Sequence, residues 1–585
     1  MTGAPDSNPA FLGVEVSATG RRWTGPGPDE QRLAEAIAQR ARLPLPVANV
    51  LAARGVAPED AAGFLDPSLR DLLPDPLSLR DMGVAAARFV QAARKGDRIA
   101  VFADYDVDGG ASAALLLTWL RAMGRQATLY IPDRIDEGYG PNVPAMQQLG
   151  AAHDLILCVD CGTLSHDPIA AAGCDVVVLD HHLGAETLPP ALAVVNPNRQ
   201  DEDGALGHLC AAGVVFLMLV EANRQLRAEG VQGPDLMALL DLVALATVAD
   251  VAPLVGVNRA LVRRGLAVMA RRERPGLVAL ADVARMDQAP TPYGLGFVLG
   301  PRVNAGGRIG QADLGARLLA TADPMEAAAL AARLDALNTE RREIEARVRE
   351  EAMAQAEARG VDGPLVWAAG EGWHPGVVGI VAARLKEAYG RPAVVIGLDG
   401  DEGKGSARSV AGVDLGAAVQ RVAAEGLLLK GGGHRMAAGL TVARDRIGAA
   451  MDRLADLLAR QGAGTAGAQA LRIDGLIAPQ AATVELIEQI EQAGPFGAAA
   501  PAPRFALAGQ VVTDVRRMGE AHLRVTFGAG PARLEAVAFN AFTGPLGSLL
   551  SAGGAGRFHV AGRVEINAWG GRRRVQLRLD DAARA

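Results

Sequence analysis

Residues 98–111, Arg-Ile-Ala-Val-Phe-Ala-Asp-Tyr-Asp-Val-Asp-Gly-Gly-Ala, hold the densest chemistry in the chain. An apolar run of strand character, Ile99–Ala103, empties into Asp104, Asp106 and Asp108, and small residues then lead into the helical pattern of Ser112–Met123. On an extended segment three carboxylates at alternate positions project to one side, where they repel one another unless a divalent cation neutralises them. Hard oxygen donors of this kind suit Mg²⁺, Mn²⁺ or Ca²⁺. An EF-hand loop opens the same way, but its twelfth position needs Glu where this chain has Leu115, and a helix precedes it instead of a strand. A solvated acidic turn is the other reading, and donors elsewhere in the chain weigh against it.

Those donors follow from the elements around the stretch. Apolar runs at Ala127–Ile131, Leu155–Val159, Val176–Leu179 and Ala193–Val195 are separated by stretches long enough for helices, the pattern of a parallel α/β sheet. Such sheets gather ligands at the C-terminal ends of their strands. Asp160 closes one run in Val-Asp-Cys-Gly, Asp180-His181-His182 closes the next, and Asp250 follows the apolar segment Leu242–Val248. Six Asp and one or two His are enough for two metal ions that share a bridging carboxylate. Any one of these Asp residues would serve equally as a helix cap or turn former; their convergence on one sheet edge is what points to a site. In the histidine pair, one ring can ligate while the other contacts a phosphate.

Composition narrows the class. At 585 residues the chain is long enough for three or four domains, and half of its residues are hydrophobic. The first residues have no apolar core of signal-peptide type and no uncharged apolar run approaches about twenty residues, so a cytoplasmic protein is expected. Cys158 and Cys161 have C-x-x-C spacing but no second pair for zinc; with Cys174 and Cys210 they are expected as small buried hydrophobes. A net charge of −7 argues against an overall basic coat for duplex DNA. The C-terminal end is different: from Arg504 to Ala585, twelve Arg face six acids.

Taken in order, residues 1–24 are expected as a disordered lead-in and 25–97 as a helical cap broken by prolines. The α/β domain with the Asp and His residues covers 98–323. Asp323 and Pro324 then cap a helix to about residue 360, roughly 50 Å long. A second α/β unit spans 361–461, with Gly376, Gly379, Gly405 and Gly431–Gly433 read as turns whose amides approach a phosphate, beside Ser406, Arg408 and His434. After a linker and hinge segment at 462–504, alternating runs over 505–585 suggest a small oligonucleotide-binding (OB-like) β-barrel. Phe527, Phe539, Phe558 and Trp569, with Arg572–Arg574, are candidates for base stacking there, although core packing explains the Phe residues equally well.

The motifs together resemble the DHH phosphoesterase family: Asp-Tyr-Asp-Val-Asp-Gly, Val-Asp-Cys-Gly, Asp180-His181-His182 and Thr-Val-Ala-Asp. Further matches are Arg134 with Glu137-Gly138-Tyr139-Gly140, Asn196-Pro197, the run Pro301–Arg308, Trp373–Gly376, Gly405–Ser409 and Gly431–His434, in the family's order from about residue 45 to 510. The branch it most resembles digests single-stranded DNA from 5′ to 3′ to 5′-mononucleotides, in DNA repair and recombination. Where that branch tends to show Gly-Asn-Pro after Gly494–Gly497, this chain has Ala498-Ala499-Ala500-Pro501, which bears on a hinge and not on the catalytic residues.

What the resemblance implies is a site of two Mn²⁺ or Mg²⁺ ions held by Asp104, Asp106, Asp108, Asp160, His181 and Asp250, with Asp160 bridging. Asp180 would orient the histidine pair, and His182 would face the scissile phosphate. Arg134, Arg308, Ser406 and Arg408 would grip phosphates of the strand, and His434 would close the cleft from the second domain, of DHHA1 type. A monomer is expected, with a single-strand-binding protein and a helicase as companions. Two alternatives stay open: a DHH phosphodiesterase of short oligonucleotides or cyclic dinucleotides, and a non-catalytic strand-binding scaffold.

Overall fold

The computed structural model describes residues 9–133, 137–464, 470–552, 556–569 and 572–585. The chain divides into two compact units, one of residues 74–252 and 264–465, the other of residues 1–73, 253–263 and 466–585. Among the described residues no helix is long and apolar enough to cross a membrane.

The first unit opens with a five-stranded, all-parallel sheet. Its strands are β1 (Ile99–Ala103), β2 (Ala127–Tyr130), β3 (Leu155–Val159), β4 (Asp175–Leu179) and β5 (Ala193–Val195), in the order β2-β1-β3-β4-β5. Every residue of β1 and β3 is buried, which explains runs without polar alternation: helices cover both faces of a parallel sheet. Around it lie α1 (Val107–Ala122), α2 (Ala211–Ala228), α3 (Leu240–Ala249) and α4 (Gly300–Ile309), the last preceded by a π-helical turn, Gly294–Leu299.

Helix α5 (Pro324–Arg359) has Pro at its start, and the Asp323 carboxylate accepts a hydrogen bond from the Met325 amide. Its buried stripe includes Leu330, Leu334, Leu337, Val348 and Ala352. A mixed sheet follows, formed by β6 (Val366–Glu371), β7 (Ala393–Asp399), β8 (Glu402–Arg408), β9 (Lys430–His434) and β10 (Ala437–Ala443) in the order β9-β10-β8-β7-β6, with α6 (Pro375–Tyr389) packed against it. The glycines expected in turns at 405 and 431–433 lie in β8 and β9 instead. The reason is local: Gly433, at φ +152°, brings β9 so close to β10 that a Cβ there would stand 2.4 Å from the Ala438 Cα.

In the second unit β11 (Phe505–Met518), β12 (His522–Phe527), β13 (Leu534–Ala538), β14 (Arg557–Trp569) and β15 (Arg572–Arg584) close into a barrel, because β14 pairs with both β15 and β11. Closure removes the free edges. Phe527 and Phe558 are fully buried in its core and are not available for stacking on bases. Phe539 is exposed, with His522 edge-on and the Arg578 guanidinium over its ring. The side chain of Trp569 lies outside the described residues.

The expectation of a disordered lead-in does not hold for residues 9–24. Arg22–Thr24 pair in parallel with Ala470–Arg472, and Trp23 is fully buried, its indole N–H donating to Asp581 Oδ2 at 3.0 Å. One large aromatic with a partner outweighs a Gly- and Pro-rich neighbourhood. Trp23→Ala is expected to destabilise this unit by about 3–5 kcal/mol, read as lost amide protection in β14 and β15 by hydrogen exchange on the intact chain. Of the linker and hinge segment expected over 462–504, residues 465–469 lie outside the described residues, and the remainder is not a plain linker: Ala470–Arg472 form a strand and Val484–Gln492 a helix that buries Leu486, Ile487 and Ile490.

Candidate metal centre

Three of the five strands of the parallel sheet deliver a carboxylate from their C-terminal ends, and the ladder continues one residue past each strand to hold it. The Asp104 amide donates to the Val159 carbonyl, that of Asp160 to Leu179, and that of Asp180 to Val195. Asp160 sits at φ 59°, a left-handed conformation that a non-glycine residue adopts at some cost. The Tyr139 hydroxyl donates to its carbonyl at 3.0 Å and so helps to hold it there.

The alternation expected for Asp104, Asp106 and Asp108 is not what assembles them. The chain leaves β1 at Asp104 and is already helical by Val107. Asp106 is the N-cap of α1, its carboxylate accepting from the amides of Asp108 and Gly109. Asp108 lies in the first turn, and its two oxygens accept the Ala211 and Ala212 amides at the N-terminus of α2 at 2.7 and 2.8 Å. So close a turn requires glycine: a Cβ on Gly109 would stand 2.4 Å from the Asp104 carbonyl oxygen.

The outcome is one cluster with shared members. Asp104, Asp106 and Asp160 form one set of possible ligands, Asp108, His181 and Asp250 a second, and Asp160, His181 and His182 a third, the donor atoms of each lying within 4.8 Å of one another. His181 Nε2 faces Asp160 Oδ1 at 3.3 Å and the carboxylates of Asp108 and Asp250 at 3.8 Å. Burial and the charges of Asp108, Asp106 and Asp104 push the Asp160 carboxyl well above the ordinary range, and burial with Asp108 and Asp106 pushes Asp250 up to about 8. Burial pushes Asp108 up as well, and a site of five carboxylates and an imidazole in which three carboxyls are driven toward their neutral forms fits divalent cations, whose charge removes the conflict.

Asp180 does different work. Burial opposes its charge, yet the His182 ring and the Thr163 amide hold it below the usual carboxylate range. It accepts from His182 Nδ1 at 2.8 Å and also from the amides of Thr163, His181 and His182. For His182 burial again opposes the charged form, and Asp180 outweighs it, pushing the imidazole up to about 9. Asn196 donates to the His182 carbonyl and Asn198 to that of His181, and the Tyr139 hydroxyl lies 3.2 Å from His182 Nδ1. Thr163 and Asn198 escape sequence reasoning, while Tyr139 and Asn196 stand in motifs that the sequence singles out without a role. A signal exists for Asn196, which follows β5 at the edge where Asp160 and Asp180 follow theirs.

The phosphate-gripping candidates divide. Asn304 Oδ1 accepts the Val107 amide, Gly307 packs on Tyr105, and Arg308 Nη1 donates to the Gly376 carbonyl at 3.1 Å. One turn further on in α6, a Cβ on Gly379 would meet Ser406 Oγ at 3.0 Å and Arg408 Nη2 at 3.2 Å, and Arg408 donates to Ser406. A continuous path of contacts thus links the Asp106 loop to Ser406 and Arg408. His434 is exposed and stands in the cross-strand row Arg408, Ala437, His434, roughly 10 Å from Arg408 along the sheet. Arg134 lies outside the described residues.

Known proteins share this order of domains. A family model for the DHH family, N-terminal domain, matches residues 98–247, one for the DHHA1 domain matches 362–460, and one for the RecJ OB domain matches 473–581. The single-stranded-DNA-specific exonuclease RecJ of Dickeya dadantii is 38% identical over 92% of this chain and 96% of its own length. The crystal structure of RecJ in complex with Mn²⁺ from Thermus thermophilus superposes with a TM-score of 0.81 at 30% identity, covering 96% of this chain and 79% of that one. RecJ in complex with Mg²⁺ from the same organism gives 0.74 at 28%, over 96% and 78%. Likeness of this degree, sustained through catalytic sheet, second sheet and barrel in one order, is membership: the chain belongs to the RecJ family.

Proposed function

We propose that the chain is a metal-dependent exonuclease specific for single-stranded DNA, hydrolysing the strand from its 5′ end to 5′-mononucleotides. The observation that carries this is the convergence of Asp104, Asp106, Asp108, Asp160, His181 and Asp250 into overlapping ligand sets that share Asp160 and His181. In this reading those six residues would hold two Mn²⁺ or Mg²⁺ ions, with Asp160 and His181 each common to two of the ligand sets. Bound there, the ions would lower the pKa of a water and neutralise charge on the phosphate under attack. The chain's own groups do the rest. The His182 imidazolium, oriented by Asp180 and faced by Tyr139, donates to a non-bridging phosphate oxygen. Arg308, Ser406 and Arg408 hold the terminal phosphate, with Arg134 and His434 at the margins, and backbone amides around Gly376 and Gly379 let it come close.

Residues 98–323 carry the chemistry, the helix of 324–360 joins them to a phosphate-gripping domain at 361–461, and the barrel of 505–585 binds the strand. The short-substrate and scaffold alternatives are not favoured: the likeness to the exonucleases extends through the barrel, and every expected ligand position is filled. A cytoplasmic monomer working with a single-strand-binding protein and a helicase in DNA repair and recombination is the setting this activity needs, since duplex must be opened first.

The test is a time course with Mn²⁺ on an oligonucleotide labelled at either end, with duplex and RNA controls. Immediate release of labelled mononucleotide from the 5′ end alone, with duplex spared, is the expected result. Turnover of dinucleotides with no polymer cleaved would move the assignment to a small-substrate phosphodiesterase.

A further inference from the structure

Phe, Tyr and Trp make up only 4% of the chain, and among the described residues just four of their side chains are exposed: Tyr139, Tyr293, Phe297 and Phe539. Two of the four form a pair. Tyr293 and Phe297, 62% and 70% exposed, stack with ring centroids 5.0 Å apart and an interplanar angle of 23°. Burying such rings ordinarily stabilises a fold, so an ordered pair left in solvent needs another reason.

Their placement supplies one. Phe297 lies in the π-helical turn Gly294–Leu299, which Tyr293 precedes, and π-turns concentrate at functional sites. The turn lies against the end of α3. A Cβ on Gly296 would stand 3.4 Å from Val248, and one on Gly300 would stand 3.3 Å from Ala249 Cβ, immediately before Asp250. Val251, next in the chain, is also 70% exposed. From Phe297 the helix runs on as α4 to Arg308, eleven residues and roughly 16 Å away.

We infer that Tyr293 and Phe297 are a stacking platform for nucleobases of the bound strand, a fixed helical length from the group that holds the terminal phosphate. The inference rests on the proposed exonuclease reading. Every base has a π-face, so a platform of this kind grips without selecting sequence. Its fixed distance from Arg308 sets the strand length at which substrates gain affinity: a dinucleotide held at Arg308 would not reach it, and a longer strand would.

The experiment compares wild type, the double variant Y293A/F297A and F297W on single strands of two to twelve nucleotides with Mn²⁺. In wild type kcat/KM should rise once the strand reaches the pair. In the double variant the loss should grow with length, to about tenfold or more on the longest strand, through KM and not kcat, while F297W keeps the wild-type profile. Strands carrying one 2-aminopurine at successive positions, mixed with protein in EDTA, should show quenching at one or two inner positions that the double variant loses. An equal loss at all lengths, or unchanged quenching, would overturn the platform. So would a double variant with altered self-association and unaltered KM, which would assign the pair to contact with a second copy. If wild type binds strands without hydrolysing them, the exonuclease reading fails, and the quenching still decides the platform.

Discussion

Asp160→Asn is expected to abolish hydrolysis while leaving the chain folded and able to bind a strand. Asn tolerates the left-handed backbone at φ 59° as well as Asp does, and its side-chain oxygen remains a hydrogen-bond acceptor. What is lost is a charge shared between two ligand sets, with Asp104 and Asp106 on one side and the two histidines on the other. Several kcal/mol of stabilisation of developing charge goes with it, and about 4 kcal/mol corresponds to roughly a thousandfold in rate. Calorimetric titration with Mn²⁺ should show fewer or weaker sites, and a filter-binding assay on a labelled single strand should show affinity within a few-fold of wild type. Sustained turnover by the metal-loaded variant would exclude Asp160 as the shared ligand.

Much of this site is legible in the sequence because a parallel sheet leaves a linear trace. Unbroken apolar runs mark buried strands, and the residue just after each run falls at the active edge, which locates Asp104, Asp160 and Asp180 directly. Asp250 is legible without a strand, at the C-terminal end of an apolar helix. Where reading fails, the deciding contact is distant in sequence. Asp108 reaches its place through amides more than a hundred residues away, so alternation within 104–108 is a misleading guide. Trp23 orders the segment Arg22–Thr24 through Asp581, a contact across 558 residues. The glycines of β8 and β9 carry a turn composition and a strand conformation, and at Gly433 the closeness of β10 is what excludes a larger residue. Side-chain amides such as Asn198 are invisible by type alone, since Asn after a strand is ordinarily a turn residue.

Asp180→Asn should cost on the order of a hundredfold to ten-thousandfold in kcat, the range seen when the carboxylate that orients a catalytic imidazole is made an amide. The carboxylate accepts four hydrogen bonds, from three amides and His182 Nδ1, and no amide side chain can replace it. Asn has one carbonyl oxygen for those donors, and its NH₂ group would confront either the backbone amides or the His182 N–H. With its oxygen toward His182 the NH₂ group opposes the Thr163 amide, and turned the other way it leaves the ring without an acceptor; in both cases His182 loses the charge that holds its proton. His181 is held separately, through its carbonyl by Asn198 and beside Asp160, Asp108 and Asp250. The two single variants should therefore separate the roles. Asp160→Asn is expected to bind Mn²⁺ at fewer or weaker sites, whereas Asp180→Asn is expected to keep wild-type Mn²⁺ stoichiometry with affinity within about tenfold and to fail in turnover. Equal loss of metal affinity in the two variants would mean that Asp180 acts through the ligand His181, and the distinction drawn between the paired histidines would fall.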